Sequence, residues 1–188
     1  DVSGHGMPAA LLASMTKVSL QSWRQTLNSP SRTLAVIRET LSGKLSSHFL
    51  SVCVCCLNLG NGRLVCSSAG HPEPLILRGG GILEIVKVRG RVISDAFAPS
   101  SFEERTMTLE KGDKLVLYTD GFTEARNRSL AIFGEEALQM ALQKLAPLDA
   151  RRICDQMFFR VKDHADSGDG LEDDLTMLAI EYTGRPQG

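Results

Sequence analysis

Residues 51–70 read "SVCVCCLNLGNGRLVCSSAG". Small and β-branched apolar residues run to Leu59, Gly60-Asn61-Gly62 interrupts them, and a second such run leads to Gly70. An Asn-Gly step between two strand-like runs is a hairpin signal, because tight turns that match strand twist need residues tolerant of positive φ. The pattern recurs twice. "PLILR" and "ILEIVKV" (74–78 and 82–88) flank Gly79-Gly80-Gly81, and "FEERTMTL" and "KLVLYT" (102–109 and 114–119) flank Lys111-Gly112-Asp113. Three hairpins are expected, so the central block of the chain reads as antiparallel sheet.

Helical spacing brackets this block. Pro8 stands at a first helical position, and Leu11, Leu12, Met15, Val18, Trp23 and Leu27 are expected to share one stripe. Ser29-Pro30-Ser31 breaks that helix, and Leu34, Ile37, Leu41 and Leu45 continue at helical spacing to about Ser47. Two more helices are read at about 135–145 and 149–162. A polar stretch, "DHADSGDGLEDD", then precedes a closing strand, "LTMLAIEY". Strands in one block with helices in pairs predict an α+β fold, a mainly antiparallel β-sandwich flanked by helical pairs.

Bulk properties narrow the function. The 188 residues, 43% hydrophobic and 23% charged, fit one soluble domain spanning 1–188. The apolar runs are strand-sized, so no membrane insertion of this segment is expected. Net charge is −1 with no basic run, so a nucleic-acid partner is not expected either. Five cysteines, mostly in strand-like runs, read as buried thiols of a cytoplasmic protein. The first residue is Asp rather than Met, and the chain is expected to be a piece of a longer protein.

Acidic residues stand at the ends of apolar segments: Asp1 before a Gly-rich turn, Asp120 after "KLVLYT", and Asp173 with Asp174 before "LTMLAI". Each alone reads equally well as a turn or cap. Sheets gather strand ends at one rim, however, and crowded carboxylates repel unless a cation lies among them. Oxygen donors without a His or Cys cluster favour Mg²⁺ or Mn²⁺ over zinc. Two such ions roughly 4 Å apart are a device for in-line attack on phosphorus.

Other candidates are weighed against plainer roles. His5, in the Gly turn, is a candidate acid, weighed against a plainer role of hydrogen-bonding the backbone. His71, in "AGHPEP", reads as a loop-shaping residue. Cys53 and Cys56 form Cys-x-x-Cys, but residues three apart on a strand point to opposite faces and cannot grip one ion. Cys154 and Arg160 have the spacing of a cysteine-phosphatase motif, yet the intervening "DQMFF" is helical in pattern and makes no phosphate loop.

The segments "DVSGHGMPAALL", "SSAGHPEPLIL", "GDKLVLYTDGFTEARN", "FGEE" and "EDDLTMLAI" occur in the order found in a known family. The chain resembles the PPM-type (protein phosphatase 2C-like) metal-dependent serine/threonine phosphatases, in the bacterial branch typified by stage II sporulation protein E and the stress-response phosphatases. By that resemblance, Asp1 would bridge two Mn²⁺ or Mg²⁺ ions, the Val2 carbonyl would join it, Asp120 and Asp173 would complete one metal site, and Asp174 is a lesser candidate. The residues set for catalysis are Asp1, His5, Asp120 and Asp173. The resemblance implies hydrolysis of phosphoserine or phosphothreonine on a regulatory protein, typically a STAS-type anti-sigma-factor antagonist. It also implies control by an upstream sensor or receiver domain, and it admits a homodimer.

Relatives carry an upstream strand with a Gly-Gly-Asp motif whose acid binds the second metal. The sequence starts downstream of that motif, so the domain is expected to lack its N-terminal strand segment. A catalytically weak or inactive, phosphatase-like binding module is the alternative. A further departure, "GRVISDAFAPSSFEE" at 90–104, carries no assigned function.

Overall fold

The computed structural model describes residues 1–4, 6–22, 28–98, 100–165 and 173–184. His5, Trp23 and Leu27 lie outside the described residues, as does most of the polar stretch before Asp173. The chain divides into two compact units that it visits alternately. The first comprises Asp1–Asn58, Arg63–Glu73 and Lys87–Met107; the second comprises Leu59–Gly62, Pro74–Val86 and Thr108–Gly188. Both combine helices with antiparallel strands, as the sequence pattern predicts. Among the described residues, no helix is long and apolar enough to cross a membrane.

In the first unit, α1 (Met7–Ser22) and α2 (Pro30–Leu41) pack with strand β1 (Phe49–Leu50), hairpin β2 (Val52–Leu57) and β3 (Arg63–Ala69), and the short β6 (Ile93–Ser94). Here β1 pairs with β6, β2 pairs with β3 around the expected turn, and β7 (Arg105–Thr108) adds to β3. Leu34, Ile37 and Leu41 recur at helical spacing and are fully buried with Leu12, Leu45, Leu50 and Ala69. The helix ends at Leu41, so Leu45 enters this core from the turn that follows. The expected stripe on α1 is only partly realised. Leu12 is buried and Met15 packs on the core, but Leu11 and Val18 are exposed and Ser19 is buried instead. Ser19 lies within 3.1 Å of the Thr40 hydroxyl on α2, so a polar contact occupies a place the periodicity assigns to an apolar one.

The unassigned segment 90–104 holds α2 at both ends. Glu104 accepts from the Ser31 N–H and from the hydroxyls of Ser29 and Ser31, at 2.8–2.9 Å, at the N-terminus of the helix. Asp95 accepts the N–H groups of Gly43, Leu45 and Ser46 beyond its C-terminus, and these bonds hold the Asp95 carboxyl below its usual range.

In the second unit, β4 (Leu75–Leu77), β5 (Leu83–Ile85), β8 (Lys114–Tyr118) and β9 (Met177–Glu181) form an antiparallel sheet in the order β5-β4-β8-β9. Its register sets Leu75 opposite Val116, and Val116 opposite Ala179. Alternation therefore gives one apolar face, which packs on α4 (Glu135–Leu145) and α5 (Ala150–His164). Leu138, Leu142 and Leu145 of α4 and Ile153, Met157 and Val161 of α5 supply the helical side of that core. Asp149 caps α5 by accepting the Arg152 N–H at 2.8 Å.

The third expected hairpin does not form. Strand β7 joins β3 and β8 joins β4, so the two strands enter different sheets. The turn between them is spent elsewhere: the Gly112 N–H donates to the Tyr182 carbonyl, the Tyr182 N–H donates to Asp113, and the Leu109 N–H donates to Gly62. Asp113, almost completely buried, fixes this turn by accepting from the Glu110 and Gly79 N–H groups and pairing with Arg78 at 2.6 Å. Arg78 also pairs with Glu84 and donates to the Thr108 carbonyl. Burial pushes the Asp113 carboxyl upward, but the two amides and the guanidinium outweigh it and hold it below the ordinary value.

Asp113→Ala should therefore strand two amides, leave Arg78 with Glu84 and the Thr108 carbonyl alone, and destabilise the fold by about 3 kcal/mol, read from urea denaturation. A folded-state value below the unfolded one makes this contribution complete above about pH 4 and loses it as pH falls through the lowered value. The variant should lack that part of the acid-limb loss.

Candidate functional site

Strand β8 ends at Tyr118, and the chain turns at once into the single helical turn α3 (Gly121–Glu124), with Asp120 at its N-cap. Asp120 has φ −59 and ψ −23, already helical, and its side chain caps nothing. The orphan amides of this turn are satisfied by backbone instead: Thr123 and Glu124 both donate to the Asp120 carbonyl at 2.8 Å. The half-buried Asp120 carboxylate is thus left available to a ligand.

The start of β9 is tied to this corner. The Thr119 N–H donates to the Thr176 carbonyl at 3.0 Å, the Thr176 N–H donates to the Thr119 hydroxyl at 3.1 Å, and that hydroxyl donates to the Asp174 carbonyl at 3.2 Å. Gly121 allows the approach, because a Cβ there would lie 2.6 Å from the Asp174 carbonyl oxygen. Antiparallel pairing of Tyr118 with Met177 places Asp120 and the Asp173–Asp174 pair at the same end of the sheet. Asp173 and Asp174 are exposed, and Asp173 accepts the Asp174 N–H at 2.8 Å.

Asp1 and Val2 belong to the first unit. Residues 1–3 run antiparallel to 49–51: Val2 bridges Leu50, the Asp1 nitrogen donates to the Ser51 carbonyl at 2.8 Å, and the Ser51 N–H donates to the Asp1 carbonyl at 2.9 Å. Ser3 continues the pairing, donating its N–H to the Phe49 carbonyl and accepting the Phe49 N–H on its hydroxyl. Gly4 and Gly6 then take φ of +84 and +82, and α1 begins at Met7. The small residues after Asp1 therefore turn a strand end sharply into a helix. His5, the candidate acid, lies outside the described residues.

The structure thus brings Asp120 together with Asp173 and Asp174 on one unit and fixes Asp1 at a strand end of the other. Among the described residues, no group of three or more His, Cys, Asp or Glu side chains is placed to hold a metal ion. The donor chemistry itself fits a hard divalent cation: carboxylates, one of them uncommitted, at a sheet rim with backbone carbonyls beside them.

The cysteine motifs have structural roles. Cys53 and Cys56 fall on opposite faces of β2, while Cys53 lies 3.8 Å from Cys55, and Cys55 lies 3.1 Å from its cross-strand partner Cys66. Contact with Cys55, then burial, pushes the Cys53 thiol up, so it stays protonated. Cys154 and Arg160 both lie on α5, with no phosphate loop between them. One contact was not apparent in the sequence: the Ser51 hydroxyl lies 2.9 Å from His71 Nδ1. Twenty positions separate the two, and the only sequence signal is a small polar residue opening a strand.

Comparison with known proteins gives the family and the fold. A family described as stage II sporulation protein E (SpoIIE) matches residues 1–183. Phosphoserine phosphatase RsbU of Bacillus subtilis is 31% identical over 133 residues, which cover 69% of this chain and 39% of RsbU, so the chain spans well under half of that relative. Among solved structures, the SiaA-PP2C domain of Pseudomonas aeruginosa superposes with a TM-score of 0.85 at 18% identity, covering 96% of this chain and 73% of that one. The manganese-presoaked phosphatase domain of SpoIIE from Bacillus subtilis gives 0.56 at 19% identity, covering 95% and 74%.

The Gly121 contact has a measurable consequence. Gly121→Ala should lower stability by about 1–3 kcal/mol through overpacking against the Asp174 carbonyl. Gly79→Ala, where nothing lies within 4 Å of the added carbon, should be close to neutral in the same thermal-melting comparison.

Proposed function

Because the chain belongs to the stage II sporulation protein E family of PP2C-like phosphatase domains, we propose that it hydrolyses phosphoserine or phosphothreonine on a regulatory protein, with Mn²⁺ or Mg²⁺ as cofactor. The observation that supports this reading is the corner at the end of β8, where the β8–β9 register leaves Asp120, whose side chain makes no cap, at the same end of the sheet as Asp173 and Asp174. Asp120 and Asp173 would hold one ion, Asp1 and the Val2 carbonyl are further proposed metal ligands, and Asp174 is a lesser one. Such ions, when bound, neutralise phosphate charge and acidify water for attack on phosphorus. The chain's own contribution is placement: Thr119 and Gly121 fix the Asp120 corner, and Ser51 fixes Asp1.

The substrate we propose is a phosphorylated antagonist of the STAS type, acted on in the cytoplasm under control of an upstream sensor or receiver domain. Support for it is the likeness to the phosphoserine phosphatase RsbU. A homodimer is compatible with this reading. A second reading, a phosphatase-like module that binds a partner without turnover, is favoured by one observation: among the described residues no three ligand side chains form a closed group.

The two readings part on metal. The intact protein should release phosphate from an aryl phosphate in Mn²⁺ and not in chelator, and calorimetric titration should show Mn²⁺ binding. Asp120→Asn should reduce turnover by about 100-fold or more, since it removes a ligand, whereas losing an outer partner typically costs 10- to 100-fold. Equal rates in chelator and Mn²⁺ contradict the phosphatase; absence of both heat and turnover favours the module.

A further inference from the structure

Asp1 is held by a chain of contacts that begins at the far end of β3. The Ser68 hydroxyl donates to the His71 carbonyl at 3.1 Å and accepts the His71 N–H at 3.2 Å, so one side chain clamps both backbone polar groups of His71. Gly70 lets the chain leave β3 here. It has φ +73, and a Cβ on it would lie 2.3 Å from Val92 Cγ1. The half-buried His71 ring then meets the buried Ser51 hydroxyl at 2.9 Å through Nδ1. Ser51 in turn exchanges both of its backbone hydrogen bonds with Asp1.

Directly opposed residues of an antiparallel pair present their side chains to the same face, with Cβ atoms about 4.5–5.5 Å apart. The hydroxyl that His71 grips therefore stands on the Asp1 carboxylate's side of the ribbon. A side-chain bond to a ring that is itself clamped restrains Ser51, the residue paired with Asp1.

We propose that His71, acting through Ser51, is a positioning residue for Asp1: it braces the strand end that carries the carboxylate and does not itself take part in proton transfer. The inference rests on the phosphatase reading and adds a residue to its machinery. Partners of this outer kind typically matter by 10- to 100-fold in activity or metal affinity when removed.

The test uses the intact protein with an aryl phosphate and Mn²⁺, and compares His71→Ala, His71→Asn, Ser51→Ala and the double variant His71→Ala/Ser51→Ala. His71→Ala and Ser51→Ala should each lower kcat by about 10- to 100-fold with little change in KM. The double variant should be no worse than the poorer single one, because both break one chain of contacts. Asn at position 71 places an amide near the Nδ1 position and should restore most of the activity. Hydrogen–deuterium exchange on the metal-free protein supplies a readout independent of turnover. The Ser51 amide, which donates to Asp1, should exchange faster in His71→Ala and Ser51→Ala but not in His71→Asn.

Unchanged kcat and exchange in His71→Ala would overturn the bracing role alone. So would losses that multiply in the double variant, or an Asn variant as poor as Ala. If His71→Ala does not fold, the Ser51→Ala and His71→Asn pair decides by the same criteria. A wild-type protein that releases no phosphate overturns the phosphatase reading and this role with it, a result distinct from an active wild type with indifferent variants.

Discussion

The corner where β8 meets α3 depends on one close approach, the backbone of Gly121 against the carbonyl of Asp174. An added methyl group would sit 2.6 Å from that oxygen, so only glycine lets the chain turn there while the start of β9 passes beside it. Beside this contact Thr119 bonds Thr176 and Asp174, and the β8–β9 register puts Asp120 at the same sheet end as Asp173. Backbone carbonyls satisfy the amides of the short helical turn. An N-cap aspartate ordinarily spends its carboxylate on those amides. Asp120 does not, and the negative charge is left for something else.

What the sequence disclosed and what it concealed divide by range. The β2–β3 and β4–β5 hairpins were legible because their turns are encoded within three residues and their partners are adjacent in the chain. Helices α2, α4 and α5 were legible for a similar reason, since a buried face at 3.6-residue spacing needs no knowledge of what covers it. The pairing of β7 and β8 was misread because the Lys111-Gly112-Asp113 turn looks like a hairpin turn locally, whereas its hydrogen bonds go to Tyr182 and Gly62 and its carboxylate goes to Arg78. No short window contains those partners. The same holds for Asp95 and Glu104, which lie in a segment without periodicity and yet close both ends of α2.

The candidate site shows the same division. Asp1, Asp120, Asp173 and Asp174 stand out in sequence because an acid at the edge of an apolar run is conspicuous, and pairing of β8 with β9 sets three of them at one end of a sheet. Ser51 and His71 do not stand out. A serine that opens a strand and a histidine in a Gly-Pro turn each have an adequate local explanation, and only the fold shows that they touch. Residues that hold a carboxylate in place are harder to read than the carboxylate, because positioning is a property of packing and hydrogen-bond geometry rather than of residue type.

The two acidic strand ends are held by different contacts. At Asp120 the close approach of Gly121 to the Asp174 carbonyl combines with the Thr119 hydroxyl, which bonds Thr176 and Asp174. At Asp1 the backbone pairing with residues 49–51 is reinforced by side chains: the Ser3 hydroxyl accepts the Phe49 N–H, and the Ser51 hydroxyl meets His71. A hydrogen bond of that kind contributes only about 0.5–1.5 kcal/mol, small against the stability of a domain. The Ser68 clamp and the Gly70 turn against Val92 thus bear on Asp1 through the imidazole–hydroxyl contact of His71 with Ser51, beside the backbone pairing of β3 with β2.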